Sequence, residues 1–169
     1  MYFVCIYTAG RKYATSRLRN DRPMHLTRYT DYALRTLLYL GKQPGRLCSI
    51  ADIANAYAIS QNHLMKVVSD LVGAGYLESV RGRNGGIRLG KPADAINVGA
   101  LVRHTEDDLD LVDCASCIIG PACGLTGVLD EALLAFLAVL DRYTLADVLA
   151  RQGDFMQLLN PVAPRLTRQ

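Results

Sequence analysis

Residues 49–74 read SIADIANAYAISQNHLMKVVSDLVGA, and this stretch decides the fold. Ser49-Ile-Ala-Asp52 has the spacing of a capping box, with Asp in place of the usual Glu. It opens a short helix to about Tyr57, with Ile50, Ile53 and Ala54 facing inward. Ala58-Ile59 makes a tight turn. Ser60 is placed to cap a second helix, Gln61 to about Ala74, with Leu64, Val67, Val68 and Leu71 on one face. Two short helices joined by so tight a turn make a helix-turn-helix unit. The second helix presents Gln61, Asn62, His63 and Lys66 near its N-terminal end, the end that meets base edges in the major groove in this motif. Asn and Gln carry the amides suited to adenine. His63 sits on the polar face of this helix, a place for a DNA contact rather than a metal ligand.

Downstream, residues 75–80 read as a short strand, and Arg81-Gly-Arg-Asn-Gly-Gly-Ile-Arg-Leu89 follows. Asn-Gly between two short strands is a hairpin signal. Arg81, Arg83, Asn84 and Arg88 decorate the hairpin and suit phosphate or minor-groove contact, which makes it a wing. The run GRNGG lacks the Lys-Ser/Thr and the following helix of a phosphate loop. Upstream, Asp31–Gly41 carries an apolar face built on Leu34, Leu37 and Leu38, with Thr30 placed to cap it and Gly41 to end it. The expected architecture is mainly α with a small β-hairpin wing: a winged helix-turn-helix domain over residues 24–92.

The charge agrees with that reading. Residues 1–90 hold 13 Lys and Arg against 5 Asp and Glu, a net +8, and residues 91–169 hold 6 against 11, a net −5, together the chain's +3. A basic first half suggests a polyanionic partner for that half alone. The 169 residues, half of them apolar, suffice for one ordinary domain with an extension. No apolar run approaches the roughly 20 residues needed to span a bilayer, so no membrane-spanning helix is expected. No signal for export is recognised, and the expected location is the cytoplasm. Residues 1–23 lack helical period, and their basic residues follow the apolar ones, the reverse of a signal peptide. They are expected to be a disordered arm, or a start codon assigned too far upstream of Met24.

The acidic half carries the metal chemistry. After a short helix capped by Asn97 and a polar stretch, Glu106–Asp113, comes Cys114-Ala-Ser-Cys117-Ile-Ile-Gly-Pro-Ala-Cys123. This C-x2-C-x5-C places three of five cysteines within ten residues, on a loop marked by Gly120 and Pro121. Structural disulfides are disfavoured by the odd count. A structural zinc needs a fourth ligand, for which His104 is nearest. An iron–sulfur cluster also takes thiolates at such spacing, with a fourth ligand from elsewhere. Spacing alone leaves both open. Residues 93–124 thus form a connector and cysteine loop. Leu125, Val128, Leu129, Ala132, Leu133, Phe136, Leu137 and Leu140 then recur at helical spacing over about 17 residues, and Leu134, Ala135, Ala138 and Val139 widen the apolar face. A helix apolar on two sides needs a second surface, so residues 125–150 are read as a homodimerisation helix, extended or restarted at Tyr143-Thr144. Residues 151–169 are read as a flexible tail. There is no paired acid–base constellation, nucleophile motif or cofactor fingerprint, and His25, His63 and His104 are scattered, so an enzyme is not expected.

With these pieces in place, the chain resembles the winged-helix iron–sulfur regulators that include the IscR, RirA and NsrR branches, and most of all the nitric-oxide-sensing NsrR branch. The matching stretches are Leu26-Thr-Arg-Tyr-Thr-Asp-Tyr-Ala-Leu-Arg35, Ser60-Gln-Asn-His-Leu-Met-Lys66, the wing from Val80 to Pro92, Leu111-Val-Asp-Cys114 and Tyr143-Thr-Leu-Ala-Asp147. The resemblance implies a homodimeric repressor that binds double-stranded operator DNA and responds to nitric oxide. It implies an iron–sulfur cluster, 4Fe-4S or 2Fe-2S, held by Cys114, Cys117 and Cys123, with Asp31 of the partner subunit as fourth ligand. It also pairs Asp31 with Arg35 one turn later as a switch, although that spacing is equally that of an ordinary helix ion pair. Thr126 stands where the IscR branch carries a histidine ligand. An iron- or redox-responsive regulator of the RirA type and a zinc-stabilised winged-helix factor remain the alternatives.

Overall fold

The structure is a computed structural model that describes residues 25–109, 111–112, 116–119, 122–151, 153 and 156–159. The reading of residues 1–23 lies outside the described residues. Helix α1 spans Arg28–Gly41, one turn earlier than the sequence pattern suggests. Thr30, expected as the cap, is fully buried and donates its hydroxyl to Thr105 Oγ1 at 2.8 Å. Capping therefore passes to Thr27, whose Oγ1 accepts from Thr30 N at 3.3 Å. Helix α2, Ile50–Tyr57, opens on the expected capping box, with Ser49 and Asp52 exchanging hydrogen bonds at 3.0 and 3.3 Å. Ala58 turns the chain with left-handed backbone, φ 54°. Helix α3, Gln61–Gly73, starts where expected, but the Ser60 side chain makes no capping bond. Leu37, Ile53, Leu64, Leu71 and Leu101 have at most 1% exposure and join α1, α2, α3 and the later α4 in one core.

Strands β1 (Leu77–Val80) and β2 (Gly86–Leu89) form the antiparallel wing, with Leu77 opposite Leu89 and Val80 opposite Gly86. This register leaves five residues, 81–85, in the turn, with positive φ at Gly82. Asn84-Gly85 is thus the second half of a longer turn, not a two-residue hairpin. Cys48 adds a bridge to the far edge of β2: its N–H donates to Ile87 O at 3.0 Å and its carbonyl accepts from Ile87 N at 2.9 Å. The wing is thereby tied to the loop between α1 and α2.

A 3₁₀ turn, Ala93–Ala95, leads to α4, Val98–Thr105, capped by Asn97 as expected. Helix α5 runs Gly124–Leu140, the expected 17 residues. Its C-terminal end is held to α4: Arg103 grips Asp141 with two bonds of 2.6 and 2.7 Å, and Asn97 Nδ2 donates to Asp141 O at 2.7 Å. The chain then restarts as α6, Leu145–Arg151, behind a second reciprocal cap between Thr144 and Asp147. Helix α6 returns to α1, where Leu149 lies over Gly41. A four-residue helix, α7 (Met156–Leu159), occurs in the stretch read as a flexible tail. Among the described residues no helix is long and apolar enough to cross a membrane.

Candidate nucleic-acid interface and cysteine loop

The face of α3 opposite Leu64, Val67, Val68 and Leu71 is exposed, and Gln61, Asn62, His63 and Lys66 all lie in solvent. Met65, which the sequence pattern did not single out, is exposed on the same helix. At the wing tip Arg81, Arg83 and Asn84 are likewise exposed. Arg88 is placed differently. Its Nε and Nη2 donate to the two Glu78 carboxylate oxygens at 3.0 and 3.1 Å across the hairpin. That paired geometry holds the Glu78 carboxyl below, and the Arg88 guanidinium above, their ordinary ranges. Arg88 therefore braces the wing, while Arg81 and Arg83 carry charge outward.

Asp31 and Arg35 face one another on α1, with both bonds 2.8 Å long and both side chains about two-fifths exposed. The Arg35 guanidinium also sits 5.8 Å from the centre of the Tyr57 ring. Burial pushes the Tyr57 hydroxyl up to about 12, against the opposing charge of Arg35.

Of the three clustered cysteines, Cys114 lies outside the described residues. Cys117 is exposed and Cys123 part-buried, and both are free thiols. Cys123 occupies the N-cap of α5 and makes no capping bond there. A cysteine thiolate is a metal-ligating group. The donor chemistry therefore fits a thiolate-held metal group. Among the described residues no three His, Cys, Asp or Glu side chains converge as a metal site. Cys48 contrasts with the loop thiols: it is buried, and burial pushes its thiol up. His104, the nearest fourth ligand for zinc by sequence, is engaged elsewhere. Its Nε2 lies 3.0 Å from Asp70 Oδ2, and its ring packs against Tyr76 at 5.7 Å.

Sequence reasoning missed the partners of that histidine and of its neighbours. Glu106 was read as the start of a polar stretch, yet it is 9% exposed and accepts from Thr27 N at 2.8 Å. Tyr29 lines one cavity with Asp70, and its hydroxyl is pushed up to about 12, by burial first and by Asp70 second. Helical spacing shows which face a residue occupies, and these residues were distinguishable only by what lies opposite them.

Three comparisons bear on this geometry. The family model Rrf2, described as "Iron-dependent Transcriptional regulator", matches residues 26–151. The HTH-type transcriptional regulator NsrR of Bacillus licheniformis is 52% identical over 143 residues, 81% of this chain and 100% of the relative. NsrR of Bacillus subtilis is 54% identical over 142 residues, 80% of this chain and 97% of the relative. Among solved structures, the oxidized form of Staphylococcus aureus CymR matches with a TM-score of 0.63 at 30% identity, covering 78% of this chain and 99% of that one. T. potens IscR matches with a TM-score of 0.63 at 24% identity, over 80% of this chain and 96% of that one, a likeness of fold alone. The expectation of a DNA-binding regulator rather than an enzyme agrees with these names.

Proposed function

The chain belongs to the Rrf2 family of transcriptional regulators, and from that premise we propose that it is a repressor whose operator binding is set by nitric oxide through an iron–sulfur cluster. The observation that carries this reading is the 52% identity to an NsrR over that protein's whole length. A homodimer would place Gln61, Asn62, His63 and Lys66 of each subunit in successive major grooves, with Arg81 and Arg83 on the flanking backbone. The dimer contact would be the apolar face of α5, where Leu125, Val128 and Leu134 are 57%, 60% and 67% exposed in the single chain.

Cys114, Cys117 and Cys123 would hold the cluster, with Asp31 of the partner subunit as the fourth ligand. A cluster bound there would supply iron for nitric oxide to react with, and the Asp31 carboxylate would hold that iron more exchangeably than the three thiolates. Asp31 has a second partner within reach, since Arg35 already holds it on its own helix. Such half-exposed pairs are worth about 0–1 kcal/mol, so Asp31 leaves Arg35 at little cost. Asp31 can therefore pass between a contact across the dimer and a contact within α1, with Arg35 receiving it on release.

The test is an anaerobic visible spectrum of the purified protein, titrated with nitric oxide while operator binding is followed. A coloured protein that bleaches and releases DNA supports the reading, and Cys123→Ser is expected to abolish the colour. A coloured protein indifferent to nitric oxide would return the iron- or redox-responsive alternative. A colourless protein carrying zinc would remove the cluster and leave the DNA-binding half intact.

A further inference from the structure

Three consecutive residues at the end of α4 each hold a different part of the DNA-binding unit. His104 Nε2 lies 3.0 Å from Asp70 Oδ2 on α3. Thr105 Oγ1 accepts from Thr30 of α1 at 2.8 Å, with both residues buried. Glu106 Oε1 accepts from Thr27 N at 2.8 Å and from Thr27 Oγ1 at 3.2 Å, at the cap of α1. Tyr29 of α1 lines the same cavity as Asp70 and His104, so α1, α3 and α4 meet around one carboxylate. A few residues beyond Glu106 the chain enters the cysteine stretch at residue 114.

We infer that residues 104–106 are a strap that transmits the position of the cysteine loop to the reading helix and to α1, with His104 and Glu106 as positioning residues for operator binding. The mechanics follow from the attachments. Asp70 lies eight residues after Asn62, roughly 12 Å along α3 at 1.5 Å per residue. A displaced strap therefore pulls on the far end of the helix whose near end faces DNA. The same displacement pulls on Thr27 and Thr30, in the turn that carries Asp31. Packed helices respond to such pulls by switching between discrete arrangements, not by deforming continuously. One short segment thus couples the loop to both the base-reading surface and Asp31. The inference rests on the regulator reading above.

The experiment compares wild type with His104→Phe, Glu106→Ala and Glu106→Gln. For each, operator affinity is measured with the cluster loaded and with it removed, together with affinity for non-operator DNA. Amide hydrogen exchange is followed in the cluster-free protein. Allosteric coupling of this kind is typically about 5–150-fold. The expected result is that Glu106→Ala and His104→Phe, which keeps a ring against Tyr76 but has no donor for Asp70, bring the loaded-to-unloaded ratio toward unity while non-operator affinity stays as in wild type. Exchange should rise at the first turn of α1 in Glu106→Ala and at the end of α3 in His104→Phe. Glu106→Gln, which keeps an acceptor for Thr27, should retain both the ratio and the protection. Should Glu106→Ala fail to fold, His104→Phe tests the strap from its other attachment. Variants that keep the wild-type ratio would overturn the strap and leave the regulator reading standing. A wild type whose operator affinity ignores the cluster would overturn both.

Discussion

Arg83 and Arg88 belong to one hairpin and carry the same charge, yet the structure employs them differently. Arg83 is exposed at the tip, whereas Arg88 is locked to Glu78 by two hydrogen bonds. An arginine that contacts phosphate releases counterions, and each such contact contributes about 0.9 to the salt slope of binding. Arg83→Ala is therefore expected to weaken operator and non-operator binding alike and to lower the salt slope by about one contact. Arg88→Ala should leave the salt slope as in wild type. Binding measured by fluorescence anisotropy across a salt series separates the two, and equal slopes for wild type and Arg83→Ala would place the wing off the DNA. Residue type and spacing marked both arginines as candidates. Only the register that sets Glu78 opposite Arg88 told them apart. The same holds for Thr27 and Thr30: each is a plausible cap by type, and burial of Thr30 against Thr105 decides between them.

At the scale of elements, several caps were legible because the partner is a near neighbour in sequence. The reciprocal cap between Ser49 and Asp52 and the Asn97 cap are both written in residues three apart. The Thr144–Asp147 cap has the same form, and it explains why the helix restarts rather than extends. The wing turn was less legible, because its length depends on which residues pair across it. The bridge from Cys48 to Ile87 was not legible at all, since it joins residues far apart in sequence through backbone groups that every residue carries. That bridge makes Gly86 a close approach: a Cβ there would lie 2.8 Å from the Cys48 carbonyl oxygen. Gly86→Ala should therefore cost about 1–3 kcal/mol, the usual range for overpacking against groups that cannot rotate away. Urea unfolding checks this, and an unchanged midpoint would mean that the loop carrying Cys48 yields freely.

At the scale of the whole molecule, α5 stands out: 17 residues with Leu137 alone buried. Leu125, Val128, Leu134, Phe136 and Val139 are each more than two-fifths exposed. Apolar surface of this extent on one helix marks an interaction site. Leu134→Glu is expected to halve the mass in solution and to weaken operator binding, with each winged domain still folded. Sedimentation and circular dichroism read the two effects separately, and a variant of undiminished mass would move the dimer contact away from this face. The pattern of the chain by itself determined the helix-turn-helix, the wing, the length of α5 and the three-cysteine spacing. Each of these follows from periodicity, caps and composition over a short window. The tertiary structure alone decided that Arg88 is held by Glu78, that His104 belongs to Asp70, and that Thr105 and Glu106 hold the start of α1. Those contacts join residues 10 to 79 positions apart. Their energies depend on burial and on the direction of single hydrogen bonds, which no local pattern of side chains records.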